Sequence, residues 1–181
     1  TARCENMKIV IMLPTYNERQ GIEPLLKELS ILSNKGLEIS ILVIDDNSPD
    51  GTADFVTSLN LPNVDILKRP KKDGLGNAYK SGIEKVLQEK QITHLISMDA
   101  DSSHRVVDLV KLIESCKVNP DADLIIGSRW IPGGSIENWP FARKFLSKLG
   151  TRYAQWALKL EVADLTGCLL YTSPSPRDAT L

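Results

Sequence analysis

The chain has 181 residues, 42% of them hydrophobic and 25% charged; this excludes a disordered polypeptide and suffices for one domain with a substantial core, but not for two ordinary ones. With 22 Lys and Arg against 23 Asp and Glu, the formal net charge is -1, so no global field marks a nucleic-acid binder and any attraction for phosphate has to be local. No run reaches the ~20 apolar residues of a membrane-spanning helix, no signal-peptide order opens the chain, and Cys4, Cys116 and Cys168, without a CxxC, form no disulfide framework.

In chain order, Lys8 to Leu13 is a β-branched apolar run that predicts a buried strand. Met7 is therefore the expected start, with residues 1–6 a foreign flank. After the turn Pro14-Thr15-Tyr16-Asn17-Glu18, Ile22, Leu25, Leu26, Leu29 and Leu32 recur at helical spacing. Ile39 to Ile44 predicts a second buried strand that stops at Asp45-Asp46. Asp50 is placed to cap a helix carrying Ala53, Phe55, Val56 and Leu59. Val64 to Leu67 reads as a third strand, and the basic, glycine-bearing segment Lys68 to Gly76 as a flexible, substrate-facing loop before a helix with Tyr79, Ile83, Val86 and Leu87.

Thr93 to Met98 predicts a fourth strand ending at Asp99, followed by a helix through Val106, Leu109, Val110 and Ile113 and a fifth strand at Asp123 to Gly127. Residues Ala142 to Leu160 have the best amphipathic helical pattern of the chain. The segment from Cys168 breaks that order: Cys168 to Ser173 reads like the translation of a transposon-type sequencing adapter. We therefore expect one catalytic domain over 7–167, incomplete at its C-terminus, with residues 168–181 a second non-native flank. Strands alternating with helices predict an α/β fold, a mostly parallel sheet with helices on both faces.

In such sheets ligands sit beyond the carboxyl ends of the strands. Three strands end there in polar clusters: Pro14 to Glu18, Asp45-Asp46, and Asp99-Ala100-Asp101. Carboxylates two residues apart, as Asp99 and Asp101 are, repel each other unless a cation lies between them. Mg²⁺ or Mn²⁺ takes one or two carboxylates and completes its shell with water and phosphate oxygens. A calcium loop is excluded, because its sixth position would be His104 rather than Gly and its twelfth Val110 rather than Glu. No Walker A, dinucleotide fingerprint or Gly-x-Ser-x-Gly elbow is present. Arg129 follows the fifth strand, and Arg143 and Lys144 open the last helix; guanidinium forks suit phosphate oxygens, although a solvated face would carry the same residues.

Together these segments resemble the inverting GT-A glycosyltransferases, of the Rossmann-like nucleotide-diphospho-sugar type, and within them the dolichyl-phosphate and polyprenyl-phosphate mannosyltransferases. The matching text is LPTYNE (Leu13 to Glu18), VIDDNSPDGT (Val43 to Thr52), GLGNAY (Gly74 to Tyr79), MDAD (Met98 to Asp101), GSRW (Gly127 to Trp130), NWPFARK (Asn138 to Lys144) and DLTG (Asp164 to Gly167). The resemblance implies that Pro14, Tyr16, Glu18, Ile44 and Asp46 hold the nucleoside of GDP-mannose. It gives metal and pyrophosphate to Asp99, Ala100 and Asp101, a catalytic role to Asp101, Arg129 and Arg143, and the acceptor phosphate to Arg129, Arg143 and Lys144, Arg129 also serving the nucleotide sugar. It further implies transfer of mannose to a polyprenyl monophosphate with inversion, Mg²⁺ or Mn²⁺ as cofactor, and peripheral work at the cytosolic face of a membrane. Ser103 stands where some members carry glutamine, and Cys168 begins where they continue with further basic residues.

Three other readings stand beside this one. A sibling transferase using UDP-glucose or another UDP-sugar would need the same clusters. A sugar nucleotidyltransferase would want a glycine-rich basic signature after the first strand, where Thr15-Tyr16-Asn17-Glu18 stands. A non-enzymatic nucleotide-binding module would leave the acceptor-side arginines without a task.

Overall fold

Runs with every side chain apolar can be buried on both faces only as interior strands, and the first two strands do this. The structure is a computed structural model that describes residues 7–33, 37–89, 91–101, 105–119, 122, 124–128, 149–150, 152–153 and the backbone of 170–172. Strand β1 spans Lys8–Thr15 and β2 spans Glu38–Asp45. Strands β3 (Val64–Lys68), β4 (His94–Ser97), β5 (Leu124–Ile126) and β6 (Leu170–Thr172) complete a six-stranded sheet in the order β3-β2-β1-β4-β6-β5. β1 pairs in parallel with β2 and β4, and β2 with β3.

Successive side chains of β1 leave on opposite faces. Ile9, Ile11 and Leu13 join Ile39, Ile41 and Val43 under helix α1 (Ile22–Ser33), which contributes Leu25, Leu26 and Leu29. Helices α2 (Thr52–Ser58) and α4 (Val106–Val118) add Val56, Leu109 and Ile113 to the same cluster. Val10, Met12, Leu42 and Ile44 point the other way and pack on Ala78 and Val86 of α3 (Leu75–Val86). This helix lies close because Gly82 faces the sheet: a Cβ there would meet Ile44 Cδ1 at 2.4 Å. The expected parallel sheet with helices on both faces is thus present.

The differences from the sequence reading are local. Gly74 and the segment after it are no open loop: Leu75 and Gly76 already form the first turn of α3. The formal cap of α2 is Gly51, one residue later than expected, although Asp50 Oδ1 still accepts the Thr52 N–H at 3.0 Å. Leu170–Thr172, expected outside the fold, supply β6, antiparallel to β4. Leu, Tyr and Thr suit a strand, and the position beside β4 offers unpaired backbone groups.

The chain divides into two compact units, Thr1–Ile125 with Leu169–Leu181, and Ile126–Cys168. In the second, residues 149–150 and 152–153 are helical, as the amphipathic pattern predicts; the rest of that predicted helix lies outside the described residues.

Candidate active site

The strand order turns round between β1 and β4: the chain leaves β1 toward β2 and leaves β4 toward the opposite edge. Such a reversal opens a crevice at the carboxyl ends of the strands. Both flanking strands end there in polar residues, and β2 ends beside them, with Pro14 in register with Ile44 and Thr15 with Asp45.

The turn after β1 is held by the β2–α2 loop, one backbone donor at a time. Asn17 N–H donates to Ser48 Oγ, Glu18 N–H to Thr52 Oγ1 and Arg19 N–H to Asp50 Oδ2, each at 3.1 Å. Asn17 takes a left-handed conformation, φ 63°, which asparagine tolerates better than most residues. Asp45 fastens the other end: it accepts from Thr15 Oγ1 at 3.0 Å, from Ser48 Oγ at 2.5 Å and from the Ser48 N–H at 2.9 Å. Burial pulls the Asp50 carboxyl upward, but hydrogen bonds from Thr52 and Arg19 outweigh it and hold the group below its ordinary range.

Asp46, 7% exposed, extends the pairing by one residue, its N–H donating to Thr15 O at 3.1 Å. Its carboxylate is paired with the guanidinium of Arg69, itself 8% exposed, which also binds Asp73. Those partners, the Asp73 hydrogen bond foremost, hold Arg69 above its ordinary pKa. Tyr16 is 38% exposed at the mouth, with Lys72 Nζ 3.8 Å from its ring centre.

On the other side of β1, the Met98 N–H donates to Met12 O at 3.1 Å, carrying the pairing to the last residue before the acidic pair. Asp99 is half-buried and Asp101 exposed, on either side of buried Ala100. Burial raises the carboxyl of Glu18, and the negative charges of Asp101 and then Asp50 raise it further. The segments that follow β1, β2 and β4 thus act on one another electrostatically at this end of the sheet.

Among the described residues no group of three His, Cys, Asp or Glu side chains is arranged to hold a metal ion. The donors that fit one are the two carboxylates flanking Ala100. An oxygen pair, half open to solvent, suits a hard divalent ion that draws its remaining ligands from water and phosphate.

The described residues thus bring together Pro14, Tyr16, Glu18, Ile44, Asp46, Asp99, Ala100 and Asp101 along one rim. Ile44 is 0% exposed and packs in the core below α3, so only its backbone could meet a ligand; buried Ala100 is in the same position. Arg129, Arg143 and Lys144 lie outside the described residues, as do Ser103, His104, Trp130 and Trp139. His94 is a buried strand residue, its Nδ1 2.7 Å from Thr93 Oγ1, consistent with a structural role. Arg69 escaped the sequence reading because it stands among lysines; its one distinguishing signal is position, directly after β3, which pairs with the strand ending just before Asp46. A cleft of about 160 Å³ lies toward the amino-terminal ends of β2 and β3, between Ser40, Asn63, Asp65 and Lys85, away from all these residues.

Solved structures of sugar-nucleotide-dependent transferases share this mostly parallel α/β fold. Glucosyl-3-phosphoglycerate synthase from Mycobacterium tuberculosis, solved with Mn²⁺, UDP and phosphoglyceric acid, superposes with a TM-score of 0.67 at 16% identity, over 95% of this chain and 57% of that one. A mannosyltransferase from Pyrobaculum calidifontis, solved with GDP-Man and Mn²⁺, gives 0.54 at 19% identity, over 70% of this chain and 36% of that one.

The chain belongs to glycosyl transferase family 2, whose model matches residues 10–174. It is 42% identical over 162 residues to the undecaprenyl-phosphate mannosyltransferase of Micrococcus luteus, covering 88% of this chain and 64% of that one. It is 38% identical to the polyprenol monophosphomannose synthase of Mycolicibacterium smegmatis, over 88% of this chain and 59% of the relative. The dolichol-phosphate mannosyltransferase of Pyrococcus furiosus is also 38% identical, over 78% of this chain and 39% of its own length. The chain thus spans less than two thirds of each of these relatives.

Proposed function

We propose that the chain is the catalytic part of a divalent-metal-dependent mannosyltransferase that moves mannose from GDP-mannose to a polyprenyl monophosphate, inverting the sugar carbon. The observation that carries the reading is that β1 and β4, paired side by side at the strand-order reversal, run into the Pro14–Glu18 turn and Asp99-Ala100-Asp101, with the end of β2 and Asp46 in register beside them. The relatives named for polyprenyl-, undecaprenyl- and dolichol-phosphate chemistry support the donor sugar and the acceptor.

Asp99 and Asp101 would hold Mg²⁺ or Mn²⁺, which when bound supplies charge compensation for the departing diphosphate. Tyr16 offers a ring at the mouth, Asp46 a fixed carboxylate, and Pro14, Ile44 and Ala100 backbone at the floor for the nucleoside and pyrophosphate. Glu18, its carboxyl raised by burial and then by the charges of Asp101 and Asp50, stands on the turn after β1. The acceptor is a phosphate monoester with a second pKa near ~6, mostly anionic at neutral pH, so it needs orientation rather than a base. Arg129, Arg143 and Lys144 are the candidates for that orientation. A polyprenyl acceptor brings the enzyme to a membrane surface, and we assign it peripherally to the cytosolic face. Among the described residues no helix is long and apolar enough to cross a membrane.

A thermal-shift screen of GDP-mannose, UDP-glucose and UDP-GlcNAc, each with and without Mn²⁺, tests the donor. The expected result is Mn²⁺-dependent stabilisation by GDP-mannose. Stabilisation by a UDP-sugar instead would move the chain to the sibling reading, and stabilisation by none would refute both.

A further inference from the structure

Arg69 is a buried cation on the segment between β3 and α3, and nothing so far gives it a task. Its backbone N–H donates to Asp45 O at 2.8 Å, fixing the residue against the end of β2. Its Nη1 donates to Asp46 Oδ1 at 2.5 Å and its Nη2 to Asp73 Oδ1. The far end of the segment is held as well: Asn77 Nδ2 donates to Asp73 O at 3.0 Å, and Gly74, at φ 107°, makes the turn into α3. Between these anchors Lys72 lies on the ring of Tyr16. One guanidinium therefore joins the end of β2 to a loop that touches the turn after β1.

We propose that Arg69 is a positioning residue of the nucleotide cleft, fixing the Asp46 carboxylate and the 70–74 segment so that Asp46 and Tyr16 face one nucleoside diphosphate. This rests on the reading of the cleft as a nucleotide site. The chemistry requires arginine. Its planar fork reaches two carboxylates at once, whereas the point charge of a lysine ammonium satisfies one. A buried Asp46 without its partner would be an uncompensated charge, free to turn. Arg69 acts through Asp46, so the two residues should not contribute independently to binding.

The test is a calorimetric double-mutant cycle on the full chain, in GDP or UDP, whichever the wild type binds, with melting temperatures measured in parallel. Arg69→Met and Asp46→Asn should each weaken binding by about tenfold or more, and the double variant should be no weaker than the worse single one. Arg69→Lys, the variant suited to keeping the fold, should melt near the wild type yet bind about as poorly as Arg69→Met. Asp73→Asn should lose a smaller factor, about threefold, because the Asp46 link survives. Additive effects in the cycle, or wild-type affinity in Arg69→Lys, would overturn the assignment while leaving the nucleotide site in place. A wild-type chain that binds neither nucleotide would overturn the site and the assignment together.

Discussion

The ends of β2 and β4 both carry paired carboxylates, and the fold treats the two pairs differently. Asp45 and Asp46 are buried, and each meets donors on neighbouring segments: Thr15 and Ser48 for the first, Arg69 for the second. Asp99 is half-buried and Asp101 exposed, and the charge of Asp101 adds to burial in raising the Glu18 carboxyl. A buried carboxylate surrounded by donors has its geometry fixed before any ligand arrives. An exposed one remains accessible to a ligand that arrives later. On the proposed reading the first pair orients and the second receives a cation.

Three changes would sharpen or break this contrast. The largest effect is expected at β4. Asp101→Asn should lower the turnover number by on the order of 1000-fold, as removing a group that stabilises departing charge does, while GDP binding falls much less and melting barely moves. Steady-state transfer from GDP-mannose, set beside binding of GDP, checks the split. Next comes Asp45→Asn, which turns an acceptor of three hydrogen bonds into a group with donors facing the Ser48 N–H. It should cost about 2 kcal/mol of stability, read by urea unfolding, through loosening of the 15–19 turn.

The smallest effect concerns pH. The folded carboxyl of Glu18 is raised above its ordinary value, 4.5, so folding favours the protonated form. The stability this gives is complete below that value and is lost as pH rises through the higher folded one. Glu18→Gln should therefore melt above the wild type at neutral pH, and the difference should close near pH 4. Mn²⁺ should narrow the part of the gap at neutral pH that comes from Asp101, burial supplying the larger part; a gap independent of pH would show that the Glu18 carboxyl is not raised by folding.

Much of the fold was legible because burial on two faces leaves a plain mark: Ile9 to Leu13 and Ile39 to Ile44 admit hardly any reading but interior strands, and Leu25, Leu26 and Leu29 one helical face. The rim of the site was legible from where those runs stop, since a strand ending in Asp-Asp or Asp-Ala-Asp changes from buried apolar to charged within a residue. Which carboxylate is paired was not legible. Asp45 and Asp46 are adjacent and alike in sequence, and their partners Thr15 and Arg69 lie 30 and 23 residues away. Only the parallel register of β1, β2 and β3 brings them together. Arg69 was hidden for the same reason: among Lys68, Lys71 and Lys72 its burial has no local sign. Strand β6 shows another limit, since an open place beside β4 can be filled by a short run with little pattern of its own.

The central claim is that the Asp99–Asp101 pair couples a divalent cation to a nucleoside diphosphate. Titrating GDP into the chain with and without Mn²⁺, in the wild type and in an Asp99→Asn, Asp101→Asn double variant, tests it most directly. The account predicts that Mn²⁺ tightens GDP binding by about tenfold or more in the wild type and leaves the double variant unchanged. Equal wild-type affinity with and without the metal, or a double variant that still responds to it, would contradict the account.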